Sequence, residues 1–337
     1  MGKEPTSKSP EWYHKYAFWL ILGGLSTYFA EVVTSSTPFP FFTPSGLIVT
    51  YPFYTLNILV FSYVAFQKKR VDLYTLFLAG QVFGLFEAYG TKMLWNPGWG
   101  AEPRFLGISV VPFLLLIFLW HPIMSFALPI MISETYLTTS RETISGLPEW
   151  LSNRLRDKTA TTLLLILFIL FCGINQAVNS PSKLVSLLSP SLSWVVVVSG
   201  MWLWRRKGPQ TGFRALLPTK RELLFLLPLW GLMYILIALK LFPEGIPPIR
   251  DQFGVWIAYV LLGTLLYLDV SSDVAEVSPL PAKVPWKIFA PLGIFVAFIA
   301  YLLPKSVPLV VMAWVPGVGF GIVVFYSEVL RIIKKKR

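Results

Sequence analysis

The sequence predicts an all-α integral membrane protein with about ten transmembrane helices, and three observations support this fold class. Hydrophobic residues make up 55% of the 337 residues and charged residues only 14%, with a mean hydropathy of +0.64. Ordinary soluble domains do not have this balance. Apolar runs of about 20 residues, the length that crosses a bilayer, recur along the chain. Short basic clusters separate these runs in a regular alternation.

Ten apolar segments are long enough to be candidate transmembrane helices. They cover residues 17–36, 46–66, 72–94, 107–131, 160–178, 184–204, 222–241, 253–270, 287–303 and 307–328. The first segment follows a polar stretch, residues 1–16, that resembles the start of a signal peptide. It lacks a small-x-small cleavage site, so we expect it to be retained as the first helix.

The basic residues predict the orientation of these helices. They concentrate after the second, fourth, sixth, eighth and tenth segments, whereas the other connections carry at most one Lys or Arg. Cytoplasmic loops are enriched in Lys and Arg. We therefore expect both termini in the cytoplasm and the protein in the plasma (cytoplasmic) membrane. This distribution also accounts for the net charge of +12. The sequence has no basic segment with interleaved aromatics, so we do not expect it to bind nucleic acid.

The predicted helices and loops divide the chain into five regions. These are a polar cytoplasmic N-terminus (1–16), a four-helix half with the ionisable residues (17–133), a cytoplasmic loop (134–159), a six-helix apolar half (160–330) and a basic tail (331–337). In the loop, Leu147, Leu151 and Leu155 recur at four-residue spacing, which predicts a short interfacial helix between helices 4 and 5. No inverted repeat relates the halves. We expect Glu134 and Asp269, at helix ends, to be solvated.

Two glutamates inside membrane segments mark the candidate site, because a buried charge in a bilayer is costly and usually serves a function. Glu31 belongs to a polar stripe of the first helix that also contains Gly24, Thr27, Tyr28 and Ser35. Glu87 shares a stripe of the third helix with Gly80, Gly84 and Thr91. Both carboxylates fall at similar depth near the predicted outer end. We therefore interpret Glu31 and Glu87 as catalytic acid–base residues, on the assumption that their helices are neighbours.

Other residues near this depth complete the predicted site. We expect Tyr28, Lys92, Trp95 and Arg104 to bind the substrate, with Trp99 and the proline-rich loop after the first helix covering the pocket. His121 lies on a fourth helix that Pro112, Pro122 and Pro129 should kink. We place it about 20 Å below the outer end, where a proton-relay role would require water between it and a glutamate. Asn175, Gln176 and Asn179 at the end of the fifth helix are further candidates for the same vestibule.

The sequence excludes several function classes. It lacks phosphate-loop, zincin, nucleophile-elbow and haem-attachment motifs, and it has two histidines and one cysteine, Cys172. We therefore predict no metal site and identify no cofactor. The lipid bilayer is the expected partner, together with membrane-protein subunits if the chain belongs to a complex. Two functions stay open: transport or lipid-linked chemistry on a small-molecule or lipid substrate, and a non-catalytic membrane subunit.

Overall fold

A computed structural model describes residues 11–96, 103–241, 247–273 and 275–335. Ten long helical segments occur in these ranges, numbered here helix 1 to helix 10. They are Trp12–Thr27 continued by Tyr28–Val32, Gly46–Thr50 continued by Tyr51–Ala65, Leu73–Gly90, Val110–Leu137, Lys158–Asn179, Lys183–Lys207, Lys220–Leu236 continued by Ile237–Leu241, Ile249–Val270, Trp286–Leu302 and Val307–Lys335. The predicted role of Trp99 falls outside the described residues.

Seven of these helices are long and apolar enough to cross a membrane: helices 2, 4, 5, 6, 7, 8 and 10. Helix 9 is apolar but shorter. Helices 1 and 3 do not reach the same hydropathy and length in the described chain, although nearly every residue of helix 3 is buried. A helix enclosed by protein needs less apolar surface than one that faces lipid. The all-helical, multi-span class is thus confirmed, whereas a span count of ten stays a prediction.

The bundle has a protein-enclosed centre and a lipid-exposed periphery. Helices 1 to 4 form the centre, and the most extensive contact joins helix 3 to helix 4. Helix 9 packs against helices 5 and 6, helix 7 against helix 2, helix 8 against helix 3, and helix 10 against helices 3, 4 and 5. Only 11% of the most apolar stretch of helix 7 is buried inside the protein, compared with 61% of that of helix 4. Such a bare apolar helix is stable only in a lipid-like environment.

Glycines set the distance between helices 3 and 4. A Cβ atom added at Gly80 would lie 2.5 Å from the Pro122 Cα, and one at Gly84 would lie 2.9 Å from the His121 Cβ. Side chains at these positions would force the helices apart, as expected for a small-xxx-small motif. The stripe predicted on helix 3 therefore packs against helix 4 rather than against helix 1.

Within the described residues, four helices contain segments with wide, π-type turns: Tyr28–Val32, Gly46–Thr50, Leu116–Ala127 and Ile237–Leu241. The longest lies in helix 4 and contains Pro122, which confirms that helix 4 departs from regular geometry. Side chains of helices 1 and 4 donate to carbonyls of the opposite helix near these segments. The Ser26 hydroxyl donates to the Ser125 carbonyl at 2.7 Å, and Trp120 Nε1 donates to the Ala30 carbonyl at 3.0 Å.

The loop after helix 4, predicted to be cytoplasmic, contains two short helices, Glu142–Ser145 and Glu149–Arg156. Leu147 is buried, and Leu151 and Leu155 pack against the core. Glu134 is fully buried, contrary to the expectation that it would be solvated. Its carboxylate accepts backbone N–H groups at the start of the first short helix. A carboxylate at a helix N-terminus satisfies otherwise unpaired donors. It therefore holds this loop against helix 4.

A network of buried charges ties helices 3, 8 and 10 together at the predicted inner end. Lys68 Nζ lies 2.7 Å from Asp269 Oδ1 and 3.5 Å from Asp72 Oδ2. Arg331 pairs with Asp72 and Asp269 from the other side, and its Nε lies 2.7 Å from Glu328 Oε2. Asp269 is therefore fully buried, contrary to the expectation of a solvated helix end.

This network joins parts of the chain that the sequence analysis placed in different regions. Asp269 and Glu328 come from the half that the sequence suggested was apolar, and Arg331 comes from the predicted tail, into which helix 10 extends as far as Lys335. Their partners Lys68 and Asp72 lie about 200 residues or more from Asp269 and Arg331 in sequence. A buried charge is costly unless its partner is in place, so these charges fix how the two halves meet.

Candidate functional site

A cavity of about 940 Å³ lies at the predicted outer end of the bundle. This volume is within the range of sites that hold a whole small molecule. Glu31, Glu87, Lys92 and His121 border it. Further polar side chains in the lining are Thr34, Ser35, Ser36, Thr37, Thr50, Tyr54, Thr91, Asn96, Asn175 and Asn179, and apolar ones include Val49, Phe53, Leu115, Leu116, Trp120, Ile237 and Trp314.

Glu31 is held in a fixed orientation by two neighbouring hydroxyls. Tyr54 Oη donates to Glu31 Oε1 and Thr37 Oγ1 donates to Glu31 Oε2, each at 2.7 Å. The tyrosine comes from helix 2, and the threonine comes from the segment after helix 1. A carboxylate with a hydrogen bond on each oxygen is well positioned for a defined role.

Glu87 is paired with His121 rather than with Glu31. Glu87 Oε2 and His121 Nε2 lie 3.0 Å apart, and both residues are almost completely buried. Neither atom has a well-aligned hydrogen bond with a described residue. The pair can therefore exchange a proton with a molecule in the cavity, which is the geometry required of a general acid–base group.

The expected depth of His121 was wrong. The sequence placed it well below the glutamates, whereas it is in direct contact with Glu87. Helical rise gives the position of a residue along its own helix, but the offset between two helices depends on their packing. Here Gly84 lets His121 approach helix 3 one turn below Glu87. No intervening water is needed for contact.

Glu31 and Glu87 share the cavity without extensive direct packing between helices 1 and 3. Helix 2 packs against both of these helices, and the wide-turn segments of helices 1 and 4 meet. Glu31 lies within electrostatic reach of both Glu87 and His121. The assumption that helices 1 and 3 are neighbours was therefore unnecessary, because helices 2 and 4 bring their carboxylates to a common space.

Lys92 provides a cation in the lining of the same cavity. Its side chain is buried, its Nζ donates to the Gly90 carbonyl at 3.2 Å, and it lies 5.7 Å from the centre of the Tyr89 ring. No described carboxylate lies within salt-bridge distance. Its backbone φ of +63° is unusual for a residue with a side chain. Such strain is often found at functional sites.

Three predicted substrate-binding residues lie outside the cavity lining. Tyr28 is fully buried, and the centre of its ring lies 4.8 Å from that of Trp194. The wide turn at residues 28–32 changes the angle between successive residues, so the side chains of Tyr28 and Glu31 point in different directions. Trp95 Nε1 donates to the Asp251 carbonyl at 2.9 Å. Arg104 Nη2 donates to the Trp95 carbonyl at 2.8 Å and lies on the hairpin Arg104–Phe105/Ile108–Ser109. Trp95 and Arg104 thus support the wall behind Lys92.

Helix 5 contributes two amides, as its polar outer end suggested. Asn175 and Asn179 border the cavity, whereas Gln176 does not and is buried. Trp314 of helix 10 donates from Nε1 to Asn175 Oδ1 at 2.7 Å. Trp314 carries no sequence signal for this role, because a lone aromatic in an apolar helix is ordinary.

All four wide-turn segments in the described chain border this cavity. They provide Glu31, Thr50, His121 and Ile237 among other lining residues. Wide turns are less stable than regular helix and are frequent at functional sites.

No described group of three or more His, Cys, Asp or Glu side chains is arranged to hold a metal ion. The site therefore presents two carboxylates, one imidazole, one ammonium and several hydroxyl and amide groups.

Comparisons with other proteins support the membrane class and extend over nearly the whole chain. Residues 20–334 match a family described as an uncharacterized membrane protein family. A protein from Archaeoglobus fulgidus, described as an uncharacterized protein, is 32% identical over 331 residues that cover 95% of this chain and 100% of that protein. No solved structure matches the chain. The chain is an integral, multi-pass membrane protein and belongs to this membrane protein family.

Proposed function

We propose that this protein binds a small-molecule or lipid substrate in the outer cavity and performs acid–base chemistry on it. The observation that supports this best is the convergence of the four wide-turn segments on one cavity that contains Glu31, Glu87 and His121. Irregular backbone inside a membrane bundle is costly unless it lines a cavity or a site. Its concentration here favours a ligand-binding role.

The two carboxylates have different surroundings and, in this proposal, different tasks. Glu87 and His121 form the proton-transfer pair, because their facing atoms are 3.0 Å apart and lack other well-aligned partners. Glu31 orients the substrate or stabilises a developing positive charge, since Tyr54 and Thr37 hold its carboxylate in place. Two acidic groups in unlike environments are a common arrangement for acid–base catalysis.

The rest of the lining indicates the substrate class. Lys92 places one positive charge in the lining, and Phe53, Leu116 and Trp120 provide apolar surface in the same cavity. We therefore propose an amphiphilic substrate whose anionic or strongly polar group is bound by Lys92. Charge complementarity of this kind sets both the orientation and the specificity of binding.

Catalysis is favoured over transport by the position of the polar groups. The cavity lining belongs to the predicted outer end, whereas Gly80 and Gly84 pack tightly against helix 4 below it. The charge network around Asp269 closes the predicted inner end. A transporter needs a path to both faces, and alternating access would have to break these contacts.

The second candidate is a non-catalytic subunit of a membrane complex. One observation favours it: only 11% of the most apolar stretch of helix 7, and 17% of that of helix 10, is buried inside the protein. Either lipid or another membrane protein covers these faces. A stoichiometric protein companion in gently extracted samples would support this second function.

The decisive experiment combines native mass spectrometry with turnover of the molecule that copurifies. The wild-type protein should release a bound lipid or small molecule and convert it on incubation. Glu87→Gln should retain the molecule unconverted, because glutamine keeps the shape but cannot transfer the proton. Glu149→Gln is the matched control, since Glu149 is an exposed glutamate outside the cavity. Unchanged turnover in both Glu87→Gln and Glu31→Gln would refute the acid–base role.

A further inference from the structure

A second, smaller pocket lies at the opposite end of the bundle, and its lining is strongly basic. Its volume is about 220 Å³, which is below the roughly 300–1,000 Å³ of sites for whole small molecules. Arg141, Arg205 and Lys283 all border it. No Asp or Glu lines it within the described ranges. The pocket therefore suits one anionic group rather than a whole substrate.

The three cations reach this pocket from three different parts of the chain. Arg141 follows helix 4, Arg205 ends helix 6, and Lys283 precedes helix 9. Two hydrogen bonds fix these parts together: Trp204 Nε1 donates to the Leu137 carbonyl at 2.7 Å, and Tyr136 Oη donates to the Val284 carbonyl at 2.8 Å. The convergence is therefore built into the fold and does not depend on flexible side chains alone.

None of the three cations forms a salt bridge with a described carboxylate. Arg141 donates only through Nη1, to the carbonyls of Glu134, Thr138 and Ser140. The Arg205 guanidinium stacks 4.6 Å from the Trp286 ring centre, and Lys283 Nζ lies 5.6 Å from that of Tyr136. Stacking leaves the N–H groups at the edge of a guanidinium available for an acceptor.

The mutual proximity of these cations is unfavourable without an anion. Partial burial, together with the charges of Arg141 and Arg205, lowers the pKa of Lys283. The two carboxylates nearest to Arg141 in sequence are engaged elsewhere: Glu134 accepts the N–H groups of Glu142 and Thr143, and Glu142 pairs with Arg214. Three like charges in one pocket repel one another, and a bound anion would relieve this repulsion.

We propose that Arg141, Arg205 and Lys283 bind a phosphate group from the predicted cytoplasmic side. Basic pockets between transmembrane helices on this side bind anionic headgroups, and guanidinium groups match the geometry of phosphate oxygens. The phosphate belongs either to a membrane lipid or to a soluble anion. This site is separate from the outer cavity and independent of the function proposed for it.

The test uses the full-length protein in nanodiscs of phosphatidylcholine, with and without phosphatidylglycerol, and with added inorganic phosphate. The readout is thermal unfolding. Arg205→Gln removes one cation of the pocket. Arg206→Gln is the matched control, because Arg206 is the next residue but stacks 3.8 Å from the Trp202 ring centre and does not line the pocket.

We expect phosphatidylglycerol or inorganic phosphate to raise the unfolding temperature of the wild-type protein and of Arg206→Gln. In Arg205→Gln the apparent affinity for the anion should fall about fivefold. A response to phosphatidylglycerol alone identifies a lipid headgroup, and a response to inorganic phosphate in neutral lipid identifies a soluble anion. The proposal is overturned if neither probe exceeds chloride at equal ionic strength, or if Arg205→Gln and Arg206→Gln respond alike.

Discussion

The charge network at the inner end should be a major source of stability, and Asp269→Asn tests this directly. Asp269 and Lys68 are fully buried with their charged atoms 2.7 Å apart. At an effective dielectric constant of about 20, this attraction amounts to about 6 kcal/mol. Partial recovery of hydration and the remaining contacts of Lys68 with Asp72 offset part of the loss. We therefore expect Asp269→Asn to lower the free energy of unfolding by about 3–5 kcal/mol.

Cys172 makes the measurement simple. It is the only cysteine in the chain and is completely buried. A fluorogenic maleimide should therefore label it only when the protein unfolds, and no other cysteine needs to be replaced. Labelling as a function of denaturant in detergent gives the free energy of unfolding of each variant.

A double-mutant cycle separates the ion pair from other effects of the substitution. Lys68→Met combined with Asp269→Asn should cost less than the sum of the single changes by about 1–3 kcal/mol, because both single variants lose the Lys68–Asp269 attraction and the double variant loses it only once. Asp251→Asn is the control, because Asp251 pairs with Arg250 at 3.7 Å on the surface and should cost less than about 1 kcal/mol. Equal effects of Asp269→Asn and Asp251→Asn, or simple additivity in the cycle, would refute this reasoning.

Three further predictions use the same labelling assay. Gly80→Ala should destabilise the protein because its Cβ would lie 2.5 Å from the Pro122 Cα. Gly231→Ala, whose Cβ would have nothing within 4 Å, should be neutral or stabilise helix 7 by up to about 1 kcal/mol. Equal effects of the two substitutions would contradict the close packing at Gly80. Thr219→Ala should cost about 1 kcal/mol by removing the capping box of helix 7, and no loss would argue against that cap. Lys92→Gly should gain about 1 kcal/mol by relieving φ of +63° while weakening retention of the copurified molecule, and unchanged retention would remove Lys92 from the site.

The helices and their approximate limits followed from the sequence because a bilayer imposes a strong constraint. Every span must satisfy its own backbone and present apolar side chains to lipid, so helices 2 and 4 to 8 appear as plain apolar runs. Helices 1 and 3 were also predicted as apolar segments, although each contains a polar stripe. The inward direction of Glu31 and Glu87 followed from helical periodicity, which fixes the direction of a residue around its own helix.

The details of the site did not follow in the same way. Tyr28 was expected to share a face with Glu31, but this assumed a regular helix, and the wide turn at residues 28–32 changed the spacing. The lysine–tyrosine contact and positive φ of Lys92 depend on how the chain leaves helix 3. Trp95 and Arg104 lie close to the site but are used by other backbone groups.

By itself the sequence determined the class of protein, the order of its long helices and the polar stripes to which Glu31 and Glu87 belong. Tertiary structure alone decided which groups meet: Glu87 with His121, Glu31 with Tyr54, and Asp269 with Lys68 and Arg331. Periodicity describes one helix at a time, whereas the offset and rotation between helices depend on close contacts such as that at Gly84. Partners far apart in sequence are paired only when those contacts form.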